Sequence, residues 1–266
     1  MTTQQSIGTA VITGASSGIG AIYAERLAAR GYDLVLVARN KSRLAALGAK
    51  IIAATGRGVR TLTADLNDLA ELAEVERLLR TDPSVTLLLN NAGVGGAAPL
   101  LDSDVDKMDS MIALNVRALM RLTYAAAPAF AARGAGTIIN IASIVAIAPE
   151  MLNGVYGASK AFVLAFTLSL QHELASKGLR FQAVLPGATA TEFWEIAGMP
   201  ISNLPSEIVM PAADMVDAAL AGLDAGELVT IPSLPDADDW ANYEATRQAL
   251  APNLSKAKAA ARYGRL

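Results

Sequence analysis

Short runs of β-branched and other apolar residues alternate along the chain with longer stretches in which apolar residues recur every three or four positions. The short runs suit strands of a parallel sheet, and the one at 33–37 is continuously apolar after Asp33, as expected of a strand buried on both faces. They predict strands at residues 9–13, 33–37, 59–64, 85–89, 137–141, 181–185 and 228–231. The longer stretches have helical spacing and predict helices at residues 19–30, 66–80, 104–133, 155–176, 211–223 and about 237–261.

This alternation predicts an α/β fold, a single Rossmann-type domain with a doubly wound parallel sheet of about seven strands and helices on both faces. The 266 residues contain no internal repeat or low-complexity linker, and a chain of this length buries a core without disulfides or metals. Residues 186–211 are the least regular segment and predict a substrate lid, with an ordinary surface loop as the alternative. Residues 237–266 predict a helical appendage that caps the fold or a neighbouring subunit.

Composition narrows the possible chemistry and partners. The sequence has no cysteine, which excludes disulfides, thiolate metal sites and thiol nucleophiles. The single histidine, His172, is expected on a helix surface, so we expect no catalytic metal. The net charge of −3 gives no reason to expect nucleic acid or an anionic membrane as a partner. Because neither a signal peptide nor an apolar run of membrane-spanning length is visible, we expect a cytoplasmic protein.

A glycine-rich segment separates the first predicted strand from the first predicted helix. Glycines allow a sharp turn and close approach of phosphate, and the helix N-terminus offers free N–H groups to a pyrophosphate. The motif alone also fits a tight strand-to-helix turn, but its position in a strand–helix–strand unit favours dinucleotide binding. The cofactor-binding residues predicted here are Gly14, Ser16, Ser17, Gly18, Ile19 and Gly20.

The end of the second predicted strand indicates which dinucleotide is bound. An acidic residue there would bind the ribose 2′-hydroxyl of NAD, but the segment 37–43 contains no acid and has three cations. Arg39 therefore favours the 2′-phosphate of NADP, with Asn40 or Arg43 assisting. The alternative is a solvated charged turn. Asp65 and Leu66 follow the third strand and are expected at the adenine, with a helix N-cap as the alternative role of Asp65.

Several motifs occur together in an order that resembles the short-chain dehydrogenase/reductase family. They are Thr13-Gly-Ala-Ser-Ser-Gly-Ile-Gly20, Asn90-Asn-Ala-Gly93, Asn115, Ser143, Tyr156-Gly-Ala-Ser-Lys160, and Pro186-Gly187 followed by Thr191. The resemblance covers residues 9 to about 195. It implies reversible hydride transfer between NAD(P) and a carbonyl or alcohol.

The catalytic prediction rests on Tyr156, Lys160, Ser143 and Asn115. Tyr156 and Lys160 are four residues apart on a predicted helix, so their side chains lie on one face. A phenol has a pKa of about 10, which a nearby ammonium and an oxidised nicotinamide would lower toward that of a useful acid or base. Ser143 follows a strand and is placed to polarise the substrate carbonyl, and Asn115 to organise a proton-relay water.

The resemblance also implies further cofactor contacts. Lys160 would hold the nicotinamide ribose beside Tyr156. The backbone of Asn91, Ala92 and Gly93 would pass close to the cofactor, because glycine leaves room where a side chain would not. The segment Pro186, Gly187, Thr189 and Thr191 would hold the nicotinamide carboxamide.

The predicted substrate residues Val145, Met151, Phe193 and Trp194 are apolar and indicate an uncharged, fairly hydrophobic ketone, aldehyde or secondary alcohol. As the alternative, Phe193 and Trp194 only anchor the loop on the core. The resemblance implies homodimers or homotetramers. The alternative functions are an NAD-preferring alcohol dehydrogenase, a nucleotide-sensing protein without chemistry, and an extended epimerase, for which the C-terminal region is short.

Overall fold

The protein is described here from a computed structural model covering residues 6–264. Its strands are β1 (Thr9–Thr13), β2 (Asp33–Ala38), β3 (Val59–Thr63), β4 (Val85–Asn90), β5 (Gly136–Ile141), β6 (Leu179–Val184), β7 (Thr189–Ala190), β8 (Met210–Pro211) and β9 (Val229–Thr230). Its α-helices are α1 (Gly18–Ala29), α2 (Lys41–Thr55), α3 (Leu69–Thr81), α4 (Val105–Ile112), α5 (Leu119–Arg133), α6 (Gly154–Leu174), α7 (Phe193–Ile196), α8 (Ala212–Ala225) and α9 (Ala237–Gln248).

Within residues 6–264, seven strands form one parallel sheet in the order β3-β2-β1-β4-β5-β6-β9. The chain first builds outward from β1 to β3 and then continues from β4 on the other side of β1. The connections therefore diverge between β1 and β4, which is where open α/β sheets of this kind bind ligands. The predicted α/β class and the seven parallel strands are confirmed.

The core lies on both faces of this sheet because neighbouring strand residues point in opposite directions. Ile12 packs into a cluster with residues of α1, α2 and α8, whereas Val11 packs into a second cluster with residues of α3, α5 and α6. Both clusters are apolar, which explains why the central strands β1, β2 and β4 are mostly apolar on both faces. The prediction of helices on both faces is confirmed.

Helix α2 was not predicted from the spacing of apolar residues. Its apolar positions Leu44, Gly48 and Ile51 are buried at helical spacing. Asn40 caps its N-terminus by accepting the backbone N–H of Arg43, and Gly56 ends it with φ +68°. Both end signals were present in the sequence, since asparagine is a preferred N-cap and glycine a preferred C-terminal residue.

One predicted helix differs in its interior and another in its extent. The stretch 104–133 is helical from Val105 to Arg133, but a π-helical turn, Ala113–Ala118, separates α4 from α5. Periodicity cannot detect such a turn, since one extra residue scarcely disturbs the apolar pattern. The C-terminal helix ends at Gln248 instead of extending to about 261. Pro252 follows shortly after, and proline disfavours helical conformation in the residue before it.

The chain divides after Pro232 into two compact units. The first contains the sheet and all the candidate site residues. The second contains α9, capped by Asp236, and two short 3₁₀ turns, Ala251–Asn253 and Ala261–Tyr263. Within residues 6–264, no helix combines the length and apolar character needed to cross a membrane.

Candidate active site

Helix α6 positions Tyr156 and Lys160 side by side in the core. Asn153 caps this helix, and its side-chain oxygen accepts the backbone N–H groups of Val155 at 2.9 Å and Tyr156 at 3.4 Å. Tyr156 and Lys160 are only 5% and 6% exposed, and the Lys160 ammonium lies 5.8 Å from the centroid of the Tyr156 ring. The spacing of four residues therefore brings both groups to one buried face, as the sequence predicted.

Ser143 lies beside them just past the end of β5. Its hydroxyl donates to the carbonyl of Pro186 at 3.4 Å and accepts the Val145 N–H at 3.4 Å. Burial raises the pKa of Tyr156 to about 12, and interaction with the Ser143 hydroxyl acts in the opposite direction. The two hydroxyl groups are thus brought together by the end of a strand and the first turn of a helix.

Lys160 uses its ammonium to bind the backbone carbonyl of Ile141 at 2.9 Å. Burial lowers the pKa of Lys160 to about 8, because a charged ammonium is costly to remove from water. The expected lowering of the pKa of Tyr156 by this ammonium is not found, because burial raises this pKa and the opposing effect comes from the Ser143 hydroxyl. A depressed phenol pKa therefore requires more positive charge than the described residues supply.

Asn115 lies in the π-helical turn, and its side chain is almost fully committed to hydrogen bonds. Its Nδ2 donates to the Val94 carbonyl at 2.9 Å and to Ser159 Oγ at 3.1 Å, and its Oδ1 accepts the Val94 N–H at 3.0 Å. Single π turns are frequent at functional sites. This one holds the segment after β4 against α6.

Gly93 lies close to the side chains of both Asn115 and Lys160. A Cβ atom at this position would lie 3.1 Å from Asn115 Oδ1 and 3.5 Å from Lys160 Nζ. Glycine therefore lets the backbone after β4 pass close to both side chains.

The glycine-rich loop places an open helix N-terminus at the end of β1. Gly14 and Gly18 have φ values of +65° and +53°, which favour glycine. The N-cap of α1, Ser17, makes no side-chain capping bond among the described residues, whereas α2, α3 and α6 are capped by Asn40, Asp68 and Asn153. The first N–H groups of α1 are therefore left for an anionic ligand, and this part of the site fits the pyrophosphate of a dinucleotide.

Asn91 joins this loop to the neighbouring strand β4. Its Nδ2 donates to the carbonyls of Thr13 at 3.0 Å and Gly14 at 3.1 Å, while Thr13 Oγ1 accepts the N–H groups of Asn91 and Ala92, each at 3.0 Å. The predicted cofactor segments 13–20 and 91–93 are thus held together. The amide group of Asn91 donates its hydrogen bonds to the glycine-rich loop.

The predicted adenosine residues lie at the ends of β2 and β3. Arg39 is exposed, and its guanidinium is 4.0 Å from the Asp65 carboxylate. The side-chain oxygen of Asn40 is used to cap α2 and also accepts the Ser42 hydroxyl. The N-cap alternative for Asp65 is wrong, because Asp68 caps α3. Leu66 is buried beside it.

The segment after β6 bends back over the glycine-rich loop. Pro186 and Thr189 are buried, and the Thr189 hydroxyl donates to the carbonyl of Gly187 at 3.1 Å. A Cβ atom at Gly18 would lie 3.2 Å from Thr191 Cγ2. The structure therefore brings the predicted carboxamide segment next to the N-terminus of α1.

The predicted substrate residues separate into three environments. Val145 and Phe193 pack with Tyr156, and the Phe193 and Tyr156 ring centroids are 5.7 Å apart. Trp194 is buried, and its Nε1 donates to the Thr189 carbonyl at 2.9 Å, so it anchors the segment. Met151 is 56% exposed in a 3₁₀ turn, Pro149–Met151.

Sequence reasoning did not identify three residues around Tyr156. They are Asn153, which caps α6, Ser159, which accepts a hydrogen bond from Asn115, and Met111, which packs with Tyr156. Only Asn153 carried a usable signal, since it immediately precedes a predicted helix. His172 is exposed on α6 as expected. Within residues 6–264, no group of His, Asp or Glu side chains is arranged to hold a metal.

Comparison with known proteins agrees with this geometry. The sequence profile described as short chain dehydrogenase matches residues 8–198. This protein therefore belongs to the short-chain dehydrogenase/reductase family and is an oxidoreductase that acts on CH–OH and C=O groups.

Two solved structures resemble this chain along nearly its whole length. A short-chain dehydrogenase from Sphingobium yanoikuyae in complex with NADPH is 48% identical and has a TM-score of 0.93, covering 97% of this chain and 100% of that one. The bulky-bulky ketone specific alcohol dehydrogenase from Comamonas testosteroni is 44% identical with a TM-score of 0.90, covering 98% and 100%. Among curated relatives, sulfoacetaldehyde reductase 2 of Chromohalobacter salexigens is 38% identical over 69% of this chain and 73% of the relative.

Proposed function

We propose that this protein is an NADP(H)-dependent carbonyl reductase that transfers hydride between nicotinamide and an uncharged, bulky, hydrophobic ketone or the corresponding secondary alcohol. The observation that carries the proposal is the convergence of Tyr156, Ser143, Lys160 and Asn115 in one buried cluster. NADPH supplies the hydride when bound. The protein residues supply the proton and hold the reacting groups.

Tyr156 is the acid and base in this proposal. In reduction its hydroxyl donates a proton to the oxygen of the carbonyl, and in oxidation the phenolate accepts the proton of the alcohol. A phenol buried with a pKa of about 12 is in the protonated state that reduction requires. Ser143 donates a second hydrogen bond to the same carbonyl oxygen.

Lys160 and Asn115 support this chemistry. In this proposal Lys160, whose ammonium is 5.8 Å from the centroid of the Tyr156 ring, binds ribose hydroxyls and stabilises the phenolate. Asn115 retains one acceptor lone pair on Oδ1 beyond its bond to Val94, which suits a proton-relay water near Lys160.

Three features support NADP(H) over NAD(H). Arg39 is exposed at the end of β2, where the ribose 2′-position is read, and no acid stands beside it in the segment 37–43. Its ion pair with Asp65 is long and easily exchanged for a phosphate. The relative from Sphingobium yanoikuyae binds NADPH.

The substrate proposal rests on the surroundings of Tyr156. Met111 and Val145 are buried against it, and Val94, Leu152 and Phe193 pack around them. This lining favours apolar groups on both sides of a carbonyl. The relative from Comamonas testosteroni prefers bulky ketones, whereas the similarity to a sulfoacetaldehyde reductase keeps a small anionic aldehyde as the competing substrate class.

We also propose that the protein forms a homodimer or homotetramer through α5 and α6. Tyr124 is 67% exposed on α5 and stacks on Phe166 of α6, with centroids 6.3 Å apart and planes 9° apart. A large exposed aromatic ring stacked on a half-buried one favours a surface that a second subunit covers. Sedimentation equilibrium tests this, and a monomer at micromolar concentration would reject it.

The test combines cofactor binding with turnover. NADPH and NADH are titrated into the purified protein, which is then assayed with aromatic ketones and with sulfoacetaldehyde. We expect tight NADPH binding, weak NADH binding and ketone reduction that is lost in Tyr156→Phe while NADPH still binds. Preference for NADH would support the NAD-dependent alternative, and binding without any turnover would support a nucleotide-sensing protein.

A further inference from the structure

Within the predicted lid segment 186–211, residues 191–209 connect β7 to β8 and are called the lid below. This lid is held at both ends and docks on the loop after β4. Its ends meet because β7 and β8 pair in parallel, with Thr189 opposite Met210. Further along the lid, the Ala97 N–H donates to the Ala197 carbonyl at 3.3 Å. The lid therefore lies over the segment that leads from Gly93 toward α4.

The contact between Gly95 and Phe193 is the tightest part of this docking. A Cβ atom at Gly95 would lie 2.2 Å from Phe193 Cζ and 2.9 Å from Cε2, distances that real Cβ atoms do not show. Gly95 is absent from the positive-φ glycines of residues 6–264, so its backbone accepts other residues. Glycine is needed at this position because the phenyl ring occupies the space.

The ring of Phe193 is also confined by two aromatic neighbours. The Tyr156 ring is tilted at 46° with centroids 5.7 Å apart, and the Trp194 ring meets it edge-on at 5.5 Å. Trp194 is itself held by its bond to the Thr189 carbonyl. Phe193 is thus packed against the ring of Tyr156, the proposed acid and base.

We propose that Phe193, seated on Gly95, sets the size of the ketone substituent that can reach Tyr156, and that Gly95 controls this limit. The inference rests on the proposed carbonyl reduction. A carbonyl oxygen within about 3 Å of the Tyr156 hydroxyl brings its two substituents against the neighbouring ring. The Phe193 ring has no group that takes part in the reaction, so it acts by limiting the room for a substituent. Gly95 acts by setting the position of that ring.

The experiment compares two ketones that differ only in one substituent. Acetophenone carries a methyl group where benzophenone carries a second phenyl ring. The quantity measured is the ratio of kcat/KM for benzophenone to that for acetophenone, with NADPH saturating. The proteins are the wild type, Phe193→Ala, Gly95→Ala, the double variant, and Gly154→Ala as the control. An added Cβ at Gly154 meets nothing within 4 Å, and Gly154 also has no positive φ.

Phe193→Ala is expected to raise the ratio by roughly tenfold or more, since one methylene in a pocket already changes discrimination about tenfold. Gly95→Ala is expected to shift the ratio because the ring must move, whereas in the Phe193→Ala background the same substitution leaves it unchanged. Gly154→Ala should behave as the wild type. Thermal unfolding and NADPH affinity are measured for each variant to exclude misfolding.

An unchanged ratio in Phe193→Ala would overturn the inference while leaving the reductase proposal intact. A shift by Gly95→Ala that persists without the Phe193 ring would overturn the role of the contact. If the wild type binds NADPH but reduces neither ketone, the proposed function fails and this inference with it.

Discussion

The side-chain amide of Asn115 forms two hydrogen bonds with the backbone of Val94, donating to its carbonyl at 2.9 Å and accepting its N–H at 3.0 Å. This pairing joins the π-helical turn to the segment that follows Gly93. Because a third bond reaches Ser159 on α6, one amide group organises three elements around Tyr156.

Replacing Asn115 with alanine is expected to destabilise the protein and abolish turnover. The Val94 N–H and carbonyl lose their partner, and unsatisfied, partly buried groups cost about 1–3 kcal/mol in total. Alanine is the better helix former, so helix propensity cannot cause this loss. Urea unfolding measures it. Asn242→Ala, at an exposed position of α9, serves as the control and should change the free energy of unfolding by less than about 0.5 kcal/mol.

Lys160 should make the stability of the cofactor-free protein rise with pH. Its folded pKa of about 8 lies below the ordinary value of 10.5, so between these values the unfolded chain binds more protons than the native state. Stability must therefore increase as pH rises through this window. Relative to Lys160→Met, the wild type is expected to gain roughly 1 kcal/mol between pH 7 and pH 9.

Chemical denaturation of the wild type and Lys160→Met at several pH values checks this slope. Lys177→Met, which replaces an exposed lysine, should follow the wild type. Parallel curves for the wild type and Lys160→Met would show that the ammonium is better solvated than its burial indicates.

Arg39→Asp is expected to weaken NADPH binding by roughly a hundredfold and NADH binding by only a few fold. The guanidinium forms charge-assisted bonds with a 2′-phosphate, whereas NADH has only a hydroxyl there. Fluorescence titration with both cofactors measures the two affinities. Lys41→Asp removes a nearby charge and should cause a smaller, less selective loss. Equal weakening of both cofactors by Arg39→Asp would argue against a phosphate contact.

The ion pair between Arg43 and Glu192 is expected to slow cofactor release. Arg43, on α2, binds Glu192, at the start of the lid, through two bonds of 2.6 and 3.1 Å, and both groups are exposed. Glu192→Gln should accelerate NADPH release by about two- to fivefold at low ionic strength, and salt should reduce the difference.

Stopped-flow displacement of NADPH measures this release rate. Asp217→Asn provides a matched control, since it breaks another exposed two-bond pair, Arg26–Asp217, between α1 and α8. Equal release rates for Glu192→Gln and the wild type at low salt would show that the Arg43–Glu192 ion pair does not slow NADPH release.

Much of the fold was predictable because its signals are local. The strand at 9–13 is buried at every position, since both faces of the sheet are covered, and the structure places it at those residues. Glycines at 14 and 18 mark the turn, and they adopt the positive φ values that favour glycine. Helix α2 was not predicted although Asn40 and Gly56 marked its ends, because the charged residues at its start also fit a solvated turn.

Other features depend on contacts between residues distant in sequence. The π-helical turn contains Asn115, whose side chain forms two hydrogen bonds with the backbone of Val94. Val94 is 21 residues away in sequence, so no local pattern reveals this contact. The pKa shifts of Tyr156 and Lys160 follow from burial, which is a property of the packed core.

Local patterns in the chain were enough to predict the α/β class, the parallel sheet, the family and the spacing that puts Tyr156 and Lys160 on one helix face. These follow from backbone periodicity and glycine conformation, which act over a few residues. Only the tertiary structure decided that Phe193 rests on Gly95 beside Tyr156 and that Arg43 binds Glu192. Such contacts arise when distant loops pack at the carboxyl ends of the strands, and shape and charge between those loops determine them.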